Sequence, residues 1–446
     1  MLHNLVFLSF ILILSGLAIV RPMAGVIAYE CYSFMNPQQL TYGFSGHLPV
    51  ALIAVITTLI GCVVNGEPKK FPLNAMTILL LLFLIQCTIS TIFALGPSSI
   101  VIPAYIQTVK ALGILILVAG LLTTRWRVNA LIWLMVIALG YFGVKGGIFT
   151  LLTGGNDHVY GAKDSIIGDN NQLAVALLMV LPLMNYLRLQ SAHRIVRIGL
   201  IFAMMSCLLA VVGTYSRGGL LALFAMSAFL WWNSKGRIRS GVLIALGLVM
   251  AISVMPRDWV ARMDTIQHFH HSASANDRLT VWRQAWGIAI ANPLTGGGFK
   301  ATASPTVIHR YFPDAHQRAT HSIWFQLVSQ GGFPLLFIFI AMNVVGVVSL
   351  WRLRWRTRGD PSLLWINQLS RMIEVSMVAY LVGGSFLSLG YYSLFYTLMI
   401  VVASIGAIAK TSQVPAGSPY RRIVPARAAM AANAAPSWRL RRNVDG

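Results

Sequence analysis

Twelve separate apolar stretches run along this 446-residue chain, and they restrict it to folds that cross a membrane. A helix that spans the hydrocarbon core needs about 20 predominantly apolar residues. Only 10% of the residues are charged, whereas a soluble domain carries about 25%. The sequence predicts an all-α, polytopic membrane protein with about twelve transmembrane helices. The stretches are 5–20, 49–64, 74–95, 101–122, 128–145, 171–187, 198–212, 218–232, 241–255, 322–350, 373–389 and 391–408.

The distribution of positive charge predicts the topology. The net charge of +22 would suggest a nucleic-acid partner in a soluble protein, but 22 of the 34 Lys and Arg residues fall in every second loop and in the tail. Cytoplasmic loops carry such an excess, so the charge indicates topology and no nucleic-acid partner is expected. Both termini are predicted to be cytoplasmic, with residues 256–321 and the smaller segment 146–170 as outward loops. In a bacterial inner membrane these loops are periplasmic.

The predicted domain organisation is simple. Residues 1–410 form a single transmembrane domain, whose spans 373–389 and 391–408 are separated by the least distinct boundary, at Leu389-Gly390. Residues 411–446 are rich in Ala, Pro, Ser and Arg without apolar periodicity, which predicts a disordered basic tail lying against anionic membrane lipids.

The 256–321 loop concentrates chemically useful side chains, with six of the ten His and seven Lys or Arg. Within it, residues 276–286 have the pattern of an amphipathic helix capped by Asn276 or Asp277. Leu279, Trp282, Trp286 and Ile290 form its apolar stripe, and Arg278 lies in its predicted first turn. There a phosphate would meet free backbone N–H groups. The same arginine in a helix at the membrane surface also fits contact with lipid phosphate.

Arg217 is predicted at the start of the eighth span, in the segment 213–219. The helix dipole there favours an anion, and Gly218 and Gly219 would let a ligand approach the backbone. A tight turn with an arginine that reaches the headgroups fits as well. The segment 292–299 contains three consecutive glycines, which could approach a phosphate or sugar, but it has no following Lys-Ser/Thr and is not a nucleotide P-loop.

His321 opens the tenth span, where nearby arginines would lower the pKa of its imidazole and suit it to act as a base. A histidine at a helix start in the headgroup zone is the alternative. Lys110 lies in the middle of the fourth span, so it should face the bundle interior or water. Asp169 reads as the N-cap of the sixth span, with Gln172 as a capping-box partner.

The sequence does not contain the motifs that several classes of reaction require. His268, His270 and His271 have no cysteine or paired carboxylate beside them, so no metal or other cofactor is expected. No outward loop contains Asp-x-Asp, and the chain has no Gly-x-Ser-x-Gly. Arginines and a histidine remain. These residues suit the binding of a lipid diphosphate and the deprotonation of an acceptor hydroxyl.

The motifs resemble, in order, those of the bacterial O-antigen ligase and O-antigen polymerase superfamily. The resemblance covers about residues 34–392, and residues 34–37 and 168–171 look closest to the exosortase A-associated O-glycosylation ligases. The matching motifs are Ser216-Arg217-Gly218, Arg278-Leu279 followed by Trp282, Pro293-Leu294-x-Gly296-x-Gly298, and His321-Ser322.

The resemblance implies a metal-independent, inverting glycosyltransferase that moves a glycan from undecaprenyl diphosphate to a hydroxyl of lipid A–core. It implies that His321 is the general base and that Arg217 and Arg278 hold the diphosphate. The expected substrate-binding helpers are Arg283, Lys300, Arg310, Arg318 and Lys110. An O-antigen polymerase or a protein O-glycosylation ligase would use the same donor. A transporter of lipid-linked glycans would need charged residues along a path through the bundle, for which only Lys110 and Glu374 are candidates.

Overall fold

A computed structural model describes residues 2–35, 48–67, 73–162, 165–234, 236–253, 255–256, 259 and 273–412. These residues contain α-helices, short 3₁₀ turns and no strand. The helices are α1 Leu2–Val20, α2 Pro22–Met35, α3 Val50–Asn65, α4 Ala75–Ile92, α5 Ser98–Leu121, α6 Arg125–Leu152, α7 Asn170–Gln190, α8 Arg194–Gly213, α9 Arg217–Trp232, α10 Arg237–Ser253, α11 Ala273–Ala291, α12 Pro305–Tyr311, α13 Ile323–Arg356, α14 Leu364–Gly384 and α15 Ser393–Ser412.

The prediction of an all-α, multi-pass membrane protein is confirmed. Within the described residues, seven helices are long and apolar enough to cross a bilayer, and three shorter apolar helices accompany them. The central helix is α7, whose apolar side chains are buried on almost every face by α6, α8, α9 and α14. Large apolar residues on the outer helices, such as Val63 and Leu152, are more than four-fifths exposed. They form the surface that lipid tails would contact.

Most predicted spans coincide with helices, and the largest differences are at the ends of two of them. Helix α6 continues to Leu152, so the smaller outward segment begins at Thr153 rather than residue 146. Helix α14 begins at Leu364, nine residues before the predicted span at 373, because its polar first turns still pack inside the bundle. The break at Leu389-Gly390 is confirmed, since residues 385–392 connect α14 and α15 without a helix.

Helix α2 was not predicted, and it changes the placement of the N-terminus. Asn65 at the end of α3 donates a hydrogen bond to the carbonyl of Ile19 at the end of α1 (2.8 Å), so these two helices run in the same direction. Helix α2 returns between them. The expectation that both termini lie on one side is therefore wrong for the described helices, because Leu2 and Ser412 lie at opposite ends of the bundle. With only 14 residues and an internal Glu30, α2 is too short and too polar to be recognised as a span.

One end of the bundle gathers the cations that were predicted to be cytoplasmic. Arg127 pairs with Glu67 (2.9 Å), which joins the end of α3 to the start of α6. Arg125 donates to Gln190 (2.7 Å), and Arg354 pairs with Glu374. The loop cations of several helices therefore share one end. The first residues of α7, α9 and α13 lie at the other end.

Helix α13 breaks at Gly332, whose backbone (φ 70°, ψ −173°) is not helical. Non-helical backbone inside a membrane bundle needs polar partners, and the turn 293–298 supplies them. Gly297 N–H and Gly298 N–H donate to the carbonyls of Ser329 and Gln330 (2.8 and 3.1 Å), and Phe333 N–H donates to the Pro293 carbonyl (2.8 Å). The turn therefore fastens the end of α11 to α13.

Candidate active site

The candidate site lies where the N-termini of α7, α9 and α13 meet the second turn of α11. Asn170 Nδ2 donates to the carbonyl of Thr214 (2.7 Å), which joins the start of α7 to the turn before α9. His321 N–H donates to Ser388 Oγ (2.9 Å), which joins the start of α13 to the loop after α14. Helix N-termini carry partial positive charge. Their convergence makes this end of the bundle favourable for an anion.

The turn that presents Arg217 is held by buried contacts. Tyr215 has a left-handed backbone (φ 58°), which a non-glycine residue rarely adopts. Its hydroxyl donates to the carbonyl of Gly155 (2.5 Å), and its ring lies 4.3 Å from that of His158. Ser216 then caps α9 by accepting a hydrogen bond from Gly219 N–H (3.0 Å). These contacts therefore hold the backbone at the start of α9, which carries Arg217.

The two glycines after Arg217 serve helix packing. An added Cβ at Gly219 would lie 2.7 Å from the Ala174 side chain on α7, and one at Gly218 would lie 3.3 Å from Phe386. Protein atoms therefore occupy the space beside Gly219, whereas the approach of a ligand to the half-buried Gly218 stays a prediction. Gly296 is likewise buried against the backbone of α13, and Gly297 and Gly298 are buried against the side chains of neighbouring residues, so that turn is structural.

Arg278 is a half-buried cation beside a second cation. Burial, followed by the positive charge of Arg217, lowers the pKa of Arg278. Among the described residues, no carboxylate and no hydrogen-bond acceptor partners Arg278; the adjacent Asp277 pairs with Arg318 instead. A partly desolvated charge without a counter-ion is unfavourable. With the guanidinium of Arg217 close by, the half-buried Arg278 contributes to a site that suits a multiply charged anion.

Helix α11 begins three residues earlier than predicted, which corrects the position of Arg278. The helix starts at Ala273, because Ala273, Ser274 and Ala275 are compatible with helix and extend it backwards. Asn276 and Asp277 therefore lie inside the helix and are not its caps. Arg278 lies in the second turn. Its guanidinium, not the helix N-terminus, is what α11 contributes to the site.

His321 shares a cavity of about 150 Å³ with Arg278 and Arg318. Partial burial, then the charge of Arg278, lowers the pKa of His321, while Asp169 acts in the opposite direction. Its backbone is left-handed (φ 46°), a conformation that needs support from its surroundings. The neutral imidazole is therefore favoured near pH 7, the form that accepts a proton.

Trp282 connects α11 to His321. Its indole N–H donates to the carbonyl of Thr320 (2.8 Å), and its ring stacks on Phe325 with 5.0 Å between centroids. Of the predicted apolar stripe, Trp282 thus faces inward, whereas Leu279 and Trp286 are exposed. The buried face of α11 consists of Val281, Gln284, Ala285, Ile288 and Ala289.

Arg217, Arg278 and His321 lie close to one another in the structure, as predicted. Of the other candidates, only Arg318 lies beside them. Arg318 lines both described cavities, paired with Asp277. Arg283, Lys300 and Arg310 are exposed and line neither cavity; Arg310 lies over the Tyr311 ring, 6.0 Å from its centroid. The side chain of Lys110 is exposed on α5, so of its two predicted surroundings, the bundle interior and water, it does not have the first.

Two residues at or near the site were not recognised as functional from sequence. Asp169 caps α7, accepting from Asn171 N–H (2.9 Å), and it also influences the His321 pKa. Gln284 was assigned no role, although an amide on the buried face of a helix is a detectable signal. Elsewhere, Glu30 is fully buried within α2 and accepts a bond from Thr397.

No group of three or more His, Cys, Asp or Glu side chains with metal-binding geometry occurs among the described residues. His268, His270 and His271 lie outside these residues. Glu374, one of two residues considered for a transport path, is paired with Arg354 at the cationic end.

Comparison with protein families supports the motif-based resemblance. Residues 200–340, which contain Arg217, Arg278 and His321, match the family described as O-antigen ligase. Residues 200–340 belong to the O-antigen ligase superfamily. Residues 2–192 match a family of unknown function, DUF5935. A search among characterised proteins gave no match. The exosortase-associated branch stays a prediction.

Proposed function

We propose that this O-antigen ligase superfamily member transfers a glycan from undecaprenyl diphosphate to a hydroxyl of lipid A–core, at the periplasmic face of a bacterial inner membrane. The observation that carries the proposal is the pair of adjacent arginines, one half-buried without a counter-ion among the described residues, next to His321. The predicted orientation puts this end outside, because the cationic end of the bundle lies opposite.

In the proposed reaction, Arg217 and Arg278 bind the diphosphate of the donor. The acceptor hydroxyl attacks the anomeric carbon from the side opposite the diphosphate, while neutral His321 takes the hydroxyl proton. The bond from the anomeric carbon to the phosphate oxygen breaks, and undecaprenyl diphosphate leaves with the bonding electrons. The arginines stabilise the negative charge that develops on the leaving oxygen. Attack from the opposite side inverts the anomeric configuration.

The test is reconstituted transfer with purified protein, undecaprenyl-diphosphate O-antigen and lipid A–core, in the presence of EDTA. We expect a ladder of lipopolysaccharide products from the wild type and at least a 100-fold slower reaction from His321→Ala, since a general base contributes about 10²–10⁴-fold. His309→Ala is the matched control, because His309 is exposed on α12 outside both described cavities. It should retain wild-type activity.

Other products would identify a different reaction. Lengthening of the donor glycan without modified lipid A–core would identify a polymerase. Transfer only when a protein acceptor is supplied would identify a protein O-glycosylation ligase. Activity that disappears with EDTA would contradict the metal-independent reaction.

A further inference from the structure

A second cavity of about 530 Å³ lies beside the candidate active site, between α11 and residues 311–318. The two cavities share Asp277, Val281 and Arg318, and the Asp277–Arg318 ion pair stands between them. Small-ligand pockets have volumes of about 300–1,000 Å³. The larger cavity therefore has room for a bound group next to the reacting atoms.

Gln284 supplies the strongest sign that this cavity binds a ligand. The residue lines the cavity, is only 5% exposed, and lies on the same face of α11 as Asp277 and Val281. Its side-chain oxygen Oε1 has no hydrogen-bond partner among the described residues. Buried polar atoms are almost always hydrogen-bonded in folded proteins. An amide oxygen in this state can accept a hydrogen bond from a ligand donor, such as a hydroxyl group.

The remaining lining distinguishes this cavity from the diphosphate site. To the shared Asp277–Arg318 ion pair it adds the carboxylate of Asp314, the hydroxyl of Thr280 and the imidazole of His316, and neither Arg278 nor His321 lines it. Carboxylates repel a phosphate but accept hydrogen bonds from hydroxyl groups. The half-buried rings of Tyr311 and Phe312 add an apolar wall.

The position of that wall is determined by packing. Asn292 donates to the Tyr311 hydroxyl (2.8 Å), and the Phe312 ring packs so closely on α11 that an added Cβ at Gly287 would lie 2.7 Å from it. A cavity with one apolar wall and several hydrogen-bond acceptors suits a ring with hydroxyl groups on its edge and C–H groups on its face.

We infer that this cavity binds a neutral, hydroxylated sugar ring next to the reacting sugar, and that Gln284 accepts a hydrogen bond from one of its hydroxyls. We call the cavity between α11 and residues 311–318 the sugar cavity. This inference rests on the proposed function, since the ring would belong to either the donor glycan or the core acceptor. Its chemistry is the same in both cases. Gln284 would then help to determine which glycans are used.

The test measures binding of three probes to purified full-length protein. The probes are bare undecaprenyl diphosphate, undecaprenyl diphosphate carrying a disaccharide, and dephosphorylated core oligosaccharide. We expect the wild type to bind the disaccharide lipid more tightly than the bare lipid, or else to bind the core oligosaccharide. Gln284→Leu should weaken that sugar-dependent binding about tenfold, as expected for one lost hydrogen bond, and leave bare undecaprenyl diphosphate unaffected.

Two variants separate recognition from folding. Gln284→Glu keeps an acceptor oxygen in the same place and should retain most of the sugar-dependent binding. Gln330→Leu removes another buried amide with an unpartnered Oε1 on α13, outside the described cavities, and should leave sugar binding unchanged. Thermal midpoints of all variants show whether they remain folded.

The outcomes distinguish the two proposals. A loss in Gln284→Leu limited to the disaccharide lipid places the donor in the sugar cavity, and a loss limited to the core oligosaccharide places the acceptor there. Equal losses in Gln284→Leu and Gln330→Leu, or no sugar-dependent binding by the wild type, would overturn the sugar cavity. A wild type that binds a sugar probe but not bare undecaprenyl diphosphate would overturn the diphosphate site and leave the sugar cavity intact.

Discussion

Replacing Arg278 with methionine should make the ligand-free protein slightly more stable while it removes most of the activity. Arg278 is half-buried beside Arg217 and has no counter-ion among the described residues. Methionine fills a similar volume without charge. It removes both the desolvation of the cation and its repulsion by Arg217. A residue maintained for binding rather than for folding should show this opposition between stability and function.

The expected magnitudes follow from the burial and charge of the site. A hydrogen bond to a charged group contributes about 1.5–3 kcal/mol, so kcat/KM should fall about 10- to 150-fold. Because Arg278 is partly solvated, relieving the repulsion should stabilise the protein by only about 0.5 kcal/mol. With an unfolding entropy near 1 kcal/mol/K for a chain of this length, the melting temperature should rise by less than about 1 °C.

Ligand-dependent melting gives the larger signal. Farnesyl diphosphate is a short-chain probe, and at 100 times its Kd it should stabilise the wild type by about 2.7 kcal/mol, or about 3 °C. Arg278→Met should lose most of this shift. Arg283→Met is the control, because Arg283 is exposed on the same helix and lines neither cavity. A full farnesyl diphosphate shift or wild-type transfer in Arg278→Met would refute the reasoning, as would a melting temperature several degrees below that of the wild type.

Three further predictions concern the geometry around the site. Because burial and positive charge lower the His321 pKa, kcat/KM should stay level to below pH 6.5 and then fall about tenfold per pH unit as the imidazole is protonated. Asp169→Asn should move this acid limb to lower pH; a limb that stays in place would contradict the assignment. Trp282→Phe keeps ring stacking but loses one hydrogen bond, so kcat should fall about fivefold with little change in KM; an unchanged kcat would exclude a positioning role. Gly332→Ala should cost at least about 2 kcal/mol of stability, because the residue has a positive φ and its Cβ would lie 2.5 Å from a carbonyl oxygen. Gly199→Ala, in open space on α8, should be neutral or stabilising, and equal melting temperatures for both variants would refute the steric argument.

The apolar stretches predicted most of the spans because the signal for a long membrane helix is local. Helix α2 was missed because it is short and packs between other helices. There the polar side chains of Glu30 and Tyr29 form hydrogen bonds that an exposed span could not provide. The misplaced N-terminus follows directly from this omission, since one additional pass reverses the side on which the chain begins.

From the motifs, the candidate site residues were predicted more accurately than the contacts of the neighbouring glycines. Arg217, Arg278 and His321 were identified by residue type and position. The adjacent glycines were interpreted as ligand contacts, whereas Gly219 contacts α7 and Gly296 contacts the broken part of α13. A glycine in a sequence indicates close approach, but the sequence does not show which group approaches it.

The sequence by itself determined the membrane-spanning class, most of the helix boundaries and the choice of candidate arginines and histidine, because hydrophobic length and residue type are properties of short segments. The tertiary structure decided which charges meet. Asp277 pairs with Arg318, which leaves Arg278 beside Arg217, and Gln284 is buried without a partner next to them. These relationships join residues that are distant along the chain, such as Arg217 and Arg278, which are 61 positions apart, and they depend on how the helix ends pack at one face of the bundle. Distance in space, not order in sequence, determines the electrostatic environment of each group.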